Sequence, residues 1–366
     1  QMKRRWLLVV LALVLVSALA ACGGSSGSGG GSGSGASPSA STGSGDQGSG
    51  DQGSGDQGSG SQGAGQDPKF IRFVASTPGG TWYPPATAML QIIDDNISGV
   101  STRLLPGGSS ANTKTVGDGE AELGYTHAAI AGQAYKGAGN FEKAYTDINY
   151  LFTTTPAAIH FAVRKDSDIR SIADLKNKRI GMAPQGYLAN DIAVEIFQTY
   201  GFTLDDVVAN GGSVSYLGLT EGPQSLIDGH VDVYLGVGVW PYTPYVEIDF
   251  NPGVRFLSLE DDMREKFLAE YDWYSAIDIP KDAYKSLEED MKTVGSYVSV
   301  IVNANLSEDL VYRITKAIWE NIDKVHDVSP VDKEWMKLED ALKGATIPVH
   351  PGAQKYYDEM GIKGDN

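Results

Sequence analysis

Two short glycine loops carry side chains able to hold an anion. Residues 76–81 read STPGGT, so Thr81 and Tyr83 follow Gly79-Gly80 closely. Further on, Gly107-Gly108 leads directly into Ser109 and Ser110. In both places a short apolar run comes before the glycines and a helical pattern comes after them. A helix start carries unpaired N–H groups and partial positive charge, so such loops suit a carboxylate. The hydroxyls of Thr81, Tyr83, Ser109 and Ser110 would add donors. Thr126 and His127 end a third short strand, where a side chain faces the same side. Ordinary roles compete at each position: Thr81 as an N-cap, Trp82 or Tyr83 as core aromatics, the serines as plain caps, and His127 as a satisfied structural histidine.

Other chemistries find little support. No G-x-S-x-G, H-E-x-x-H, C-x-x-C or P-loop sequence occurs in the folded part. The five histidines (His127, His160, His230, His326 and His350) are scattered, and no spacing of carboxylates singles out an acid–base pair. A single cysteine rules out an intramolecular disulfide framework and a zinc site built on several thiolates. No metal, cofactor or catalytic residue is therefore expected. A net charge of −17 argues against a nucleic-acid footprint, which needs a basic stripe.

The elements that must position the loops alternate in type. Residues 70–75, 101–105 and 122–126 read as strands, with helices at 83–95 and 111–118 between them. A second set follows, with strands at 159–164, 179–183, 214–217, 231–235 and 254–257. Helical patterns fall at 171–175, 189–200 and 222–228. An apolar strand returns at 298–302, and a strongly amphipathic helix at 308–323 has Ser307 as its natural N-cap. This is α/β organisation in two lobes of similar plan, with a cleft between them. In open α/β sheets ligands sit beyond the C-terminal ends of the strands, where these glycine loops lie.

The first 67 residues stand outside the fold. Lys3, Arg4 and Arg5 precede a 16-residue apolar run from Trp6 to Ala21, the layout of a secretory signal peptide. Leu19-Ala20-Ala21-Cys22 resembles a bacterial lipobox, so Cys22 is the expected lipidation site and residues 1–21 the removed signal. An ordinary cleaved signal and an uncleaved anchor are the competing readings. Residues 22–67 are nearly all Gly, Ser, Asp, Gln and Ala, with Asp-Gln-Gly-Ser-Gly three times over from Asp46. Nothing there offsets ordering entropy, so a flexible tether is expected, reaching roughly 35–40 Å.

Six segments, in order along the chain, resemble a known family. They are FVASTPGGTWYP at 73–84, LPGGSSAN at 105–112, EAELG at 120–124, ADLKNKRI at 173–180, DGHVD at 228–232 and IPVHPGAQKYY at 347–357. Together they resemble the TAXI family, the extracytoplasmic solute receptors associated with TRAP transporters. The resemblance covers residues 68–363. It implies a periplasmic-binding-protein fold, type II-like, with lobe 1 at 68–155 and 298–366 and lobe 2 at 156–297. The hinge would lie at the crossings 153–156 and 296–303. It also implies capture of a small organic acid or amino acid by lobe closure and delivery to a TRAP-type permease. The receptor would be a monomer, held by its lipid at the membrane on the extracytoplasmic side, with no nucleic-acid partner. A sensory or scaffolding lipoprotein on the same fold is the alternative.

In lobe 1 the expected ligand residues are Thr81, Trp82, Tyr83, Gly108, Ser109, Ser110, Thr126 and His127. In lobe 2 the chain departs from the family. Where the family carries a G-S-G-T-like loop, this chain has Pro184-Gln185-Gly186-Tyr187-Leu188, which lacks the hydroxyls and gains a bulky Tyr187. The loop from Gly236 through Gly238 to Trp240 resembles the family's A-G-x-P loop with an insertion and a tryptophan. Gln185 is a candidate contact, and backbone donation at Gly186, Tyr187 and Leu188 would survive. Tyr187 would contact a different ligand or fill the cleft, and Trp240 would cover an apolar part of the ligand or pack in the core. The two changes predict a ligand other than simple glutamate, larger or more apolar.

Overall fold

The computed structural model describes residues 67–185, 187–250 and 253–364. The expected signal peptide, Cys22, the tether up to residue 66, and Gly186 lie outside the described residues. The chain opens with β1 (Phe70–Val74), α1 (Tyr83–Asn96), β2 (Ser101–Leu105), α2 (Ser109–Gly117), β3 (Leu123–His127) and α3 (Ala128–Lys136). Next come β4 (Ile148–Arg164), β5 (Arg179–Met182), α4 (Leu188–Thr199), α5 (Leu204–Ala209), β6 (Ser213–Tyr216), α6 (Glu221–Ile227) and β7 (Val233–Gly238). They are followed by α7 (Thr243–Phe250), β8 (Val254–Phe256), α8 (Asp261–Glu270), β9 (Ser275–Ile279) and β10 (Met291–Asn303). The chain ends with α9 (Glu308–Glu320), α10 (Asp323–His326), α11 (Pro330–Trp335) and α12 (Pro351–Met360).

The sheet runs β2-β1-β3-β10-β4-β7-β5-β6, with β8 on β4 and β9 on β10. Two parallel triplets of the same plan, β2-β1-β3 and β6-β5-β7, flank a central antiparallel pair. That pair, β4 and β10, is longer than the sequence reading, which expected strands only at 159–164 and 298–302. Both strands are buried along almost their whole length. A strand covered on both faces loses the apolar–polar alternation that would announce it.

The register fixes where the loops go. β3 runs antiparallel to β10 and ends with His127 opposite Val298. β7 runs antiparallel to β4 and ends with Gly238 opposite Ala158. Val298 and Ala158 both lie mid-strand, where β10 and β4 pass from one triplet to the other. The C-terminal ends of both triplets therefore point at each other across the middle of the sheet.

The two lobes also share a brace at the far ends of their strands. In lobe 1, Arg72 forks onto Glu122 with bonds of 3.0 and 2.7 Å, and its own N–H reaches the same carboxylate at 2.7 Å. In lobe 2, Arg179 does the same to Asp232 at 3.1 and 2.5 Å, with its N–H at 2.8 Å. Each guanidinium also bonds the carbonyl of the glycine that starts the preceding turn, Gly119 or Gly229. Both glycines have positive φ, +74° and +71°, a region closed to most side chains. The repeated D-G-x-x-[D/E] turn thus ties each helix exit to the first strand of its own triplet. Bidentate arginine–carboxylate pairs are among the stronger polar contacts.

Glu122→Ala should lower the unfolding free energy by about 1–2 kcal/mol, chiefly because it leaves the Arg72 backbone N–H unpaired; the guanidinium, 37% exposed, turns to water. Asp232→Ala should cost less, since its side chain is 20% exposed against 10% for Glu122. Urea unfolding of both variants checks the order.

Candidate functional site

The loop from β1 to α1 offers side chains rather than backbone donors. Its Gly80 and Tyr83 N–H groups are taken by Thr77 and Gly80 carbonyls at 2.9 and 3.1 Å. Pro84 and Pro85 follow in the first turn of α1 and have no N–H to give. The N-cap position is Trp82, without a side-chain bond, so Thr81 is not the cap. Thr81 is exposed, and Tyr83 is half-buried. Trp82 stacks on Tyr125 at 5.5 Å, Tyr125 stacks on Phe73 at 5.3 Å, and Trp82 meets His127 edge-on at 5.4 Å.

The loop from β2 to α2 is different. Asn112, buried in the first turn of α2, donates to Ala75 O at 2.9 Å and Tyr125 O at 2.7 Å. One amide thus ties the ends of β1 and β3 to the start of α2. The N-cap is Gly108, extended and without a side chain, so no side chain consumes the first-turn N–H groups around Ser109 and Ser110. Ser109 Oγ lies 2.8 Å from His127 Nδ1. Thr126 turns inward instead, fully buried, where its hydroxyl meets Thr113 at 2.9 Å and Ser109 O at 3.2 Å. It braces α2 and does not face the cleft, because alternation along β3 sends neighbours to opposite faces.

His127 is neutral near physiological pH. The residue is half-buried, and burial desolvates its ring and lowers its pKa to about 4. A neutral imidazole bonded to a serine keeps one donor free in either tautomer. If Ser109 donates to Nδ1, then Nε2–H is left; if Nδ1–H donates, the serine hydroxyl is left. The uncapped α2 start and this pair together form a neutral, donor-rich patch.

Lobe 2 presents aromatic rings. Gln185 is exposed, Tyr187 is the N-cap position of α4 and 51% exposed, and Leu188 is buried as the first residue of that helix. Tyr216 and Leu219, at the end of β6, are also exposed. Asn190 holds this loop as Asn112 holds its own, donating to Ala183 O at 3.0 Å and Pro184 O at 2.8 Å.

The loop after β7 is fixed by a chain of hydrogen bonds. Buried His160 has a pKa lowered to about 4 by desolvation, so it carries one ring proton. Nδ1–H donates to Ala158 O at 3.0 Å, Nε2 accepts from Tyr284 O–H at 2.8 Å, and that oxygen accepts Tyr242 N–H at 2.6 Å. The Tyr242 ring lies so close to Gly238 that a Cβ there would meet it at 2.3 Å. Gly238 therefore serves ring packing. Trp240, joined to Pro241 by a cis peptide, is half-buried, and its ring meets Trp335 of α11 at 4.9 Å. Sequence reasoning missed Trp335; a short proline-started helix gives no periodic signal strong enough to place it.

Beside the cleft, α3 of lobe 1 touches lobe 2. Asp191 of α4 bonds Asn140, Gln133 reaches Tyr274 at 3.5 Å, and Lys136 pairs with Asp272 at 2.6 Å. Glu195, one turn after Asp191, lies under Tyr274. Burial pushes its pKa up to about 7; the Tyr274 hydroxyl opposes this, and the charges of Asp191 and Glu270 add to it. Sequence reasoning passed over this pair as surface acids. Their i,i+4 spacing among apolar positions was the available signal.

Hollows of about 510 and 830 Å³ lie elsewhere, one lined by Asp168–Lys178 side chains and one by Tyr297, the 342–349 segment and α12. Neither includes a residue of the strand-end loops. A third, of about 530 Å³, reaches those loops only at Pro241. The loops are the better candidate by topology, since the register aims the strand ends of both triplets at one region.

A sequence model described as the NMT1-like family matches residues 73–361. Among solved structures, XAC2383 from Xanthomonas citri, bound to ATP, is 12% identical over 80% of this chain and 96% of its own, with a TM-score of 0.51. A TctC solute binding protein from Polaromonas is 12% identical over 71% and 86%, with a TM-score of 0.47. The periplasmic aliphatic sulphonate binding protein SsuA from Escherichia coli is 13% identical over 80% and 79%, with a TM-score of 0.42. The likeness to XAC2383 is one of fold. The two triplets joined by two crossing strands form a two-lobed α/β architecture, the fold shared with XAC2383.

Glu195 makes a pH prediction. Its folded pKa lies above the ordinary 4.5, so the folded state keeps a proton that the unfolded chain releases. Its destabilising effect therefore grows from about pH 4.5 to about pH 7. Glu195→Gln should match the parent at pH 4 and exceed it by about 2 kcal/mol at pH 8. Unfolding curves at the two pH values check this.

Proposed function

The chain belongs to the NMT1-like family, and on that footing we propose that it is an extracytoplasmic solute receptor of the TAXI type. It captures a small organic acid or amino acid between its lobes and hands it to a TRAP-type permease. The observation that carries this reading is the convergence of both triplets' strand ends, with the Ser109–His127 pair at the uncapped start of α2. That patch supplies neutral donors and a helix dipole, which suit a carboxylate better than a cation. The six TAXI-like segments include both loops that build it.

The ligand meets lobe 1 first and gains contacts from Tyr187 and Trp240 as the lobes close. Only contacts made in the closed form shift the population toward it. The hinge is the crossing of β4 and β10. Pro156 interrupts the N–H series of β4 opposite Tyr297, and the pairing shifts register between Tyr297 and Ser299. The aromatic face of lobe 2 favours an acid larger or more apolar than glutamate. Lipidated Cys22 and the glycine-rich tether hold the receptor at the membrane surface. No helix among the described residues is long and apolar enough to cross a membrane.

Thermal unfolding of the full-length chain with amino acids, dicarboxylates, 2-oxoacids and aromatic acids tests this. A binder at a hundred times its Kd should stabilise by about 2.7 kcal/mol. Ser109→Ala should weaken that binder about tenfold or more, the worth of a hydrogen bond to a charged group. A folded chain that responds to none of these acids contradicts the proposal.

A further inference from the structure

One aromatic contact joins loops from opposite lobes beside the candidate site. Trp240 belongs to lobe 2, where it packs with Leu217 and Tyr242 against the cluster around Tyr234 and Tyr245. Trp335 ends α11, which packs on α10 and β4 in lobe 1. The rings cross at 4.9 Å and 70°, the edge-to-face geometry that aromatic pairs prefer.

Both ends are braced. Trp240 sits on the loop fixed through Tyr242, Tyr284 and His160. Trp335 lies three residues beyond Asp332, which is buried on the same short helix. α11 packs on α10, and α10 packs on α1, the helix whose N-cap position is Trp82, beside the donor patch of lobe 1. The indole N–H of Trp335 is buried with no acceptor among the described residues, whereas a buried indole N–H usually has one.

We propose that Trp240 and Trp335 form a clasp across the cleft, and that Trp335 selects which ligands the closed form retains. The inference rests on the solute-receptor reading above. The two rings ride on different lobes joined through two strands, so their contact counts only when the lobes come together. It therefore adds to closure without adding to first capture, and it acts on the rate of ligand release. Its chemistry is an apolar edge plus one uncommitted donor. That combination suits an organic acid with an apolar body and a second oxygen acceptor beyond the carboxylate held by lobe 1.

The test uses far-ultraviolet circular dichroism of the full-length chain, with L-glutamate, phenylpyruvate and indole-3-acetate as probes. Two indoles in edge-to-face contact couple and give a paired positive and negative band. The parent should show this couplet, and both Trp240→Phe and Trp335→Phe should lose it. The probe that raises the unfolding temperature should strengthen it, and phenylpyruvate, which alone of the three joins an apolar body to a second oxygen acceptor, should outbind the other two. Trp335→Phe should release that probe about 3- to 10-fold faster, the range of an aromatic pair. Trp240→Phe reports the same contact from the other lobe and covers the case in which the α11 variant fails to fold. A bound probe that leaves the couplet unchanged, with both variants binding as the parent does, overturns the clasp and leaves the receptor reading standing. If no probe binds the parent, the receptor reading fails for this ligand class and the clasp fails with it.

Discussion

Everything about the cleft depends on two strands that belong to both lobes. β4 leaves lobe 1 and enters lobe 2, and β10 makes the return. Each triplet joins this pair through an antiparallel partner, β3 on β10 and β7 on β4. That pairing aims the C-terminal ends of both triplets at the same mid-sheet region. No loop composition could bring His127 and Trp240 to one cleft if either triplet were attached the other way round. On the proposed receptor reading the two crossings are also where the lobes would bend, because they are all that the sheet offers between them.

The lobes share a plan and differ in chemistry. Both use an arginine fork and a left-handed glycine at the closed ends of their strands, Arg72 with Glu122 and Arg179 with Asp232. Both use a buried asparagine to hold a cleft loop, Asn112 and Asn190. On that common frame lobe 1 displays hydroxyl, imidazole and helix N–H groups, while lobe 2 displays Tyr187 and Trp240. On the proposed reading the polar half would fix an anion and the aromatic half would cover the remainder, dividing recognition between orientation and shape.

Much of this was legible in the sequence, and the exceptions have a common cause. The strand at 101–105, the start of α1 at Tyr83 and the Ser307 cap of α9, which accepts from Leu310 N–H at 3.1 Å, follow from local pattern. The positions of the glycine loops and of the strand end at His127 were legible because turn chemistry and helix starts are local too. The first half of β4 was missed because burial on both faces removes alternation. Thr126 was expected in the cleft but is buried, since a strand end alone does not say which neighbour faces inward. Trp335, Asp191 and Glu195 acquire their meaning only from partners far along the chain, Trp240, Asn140 and Tyr274. Nothing in a window of ten or fifteen residues carries that information.

The central claim is that one ligand is held by the strand ends of both lobes at once. Hydrogen–deuterium exchange of the full-length chain, with and without the acid that stabilises it, tests this most directly. The account predicts slowed exchange in five places together: residues 79–83, 107–112 and 126–128 in lobe 1, and 184–190 and 238–242 in lobe 2. Slowed exchange confined to one lobe, or to surfaces away from these loops, would contradict it.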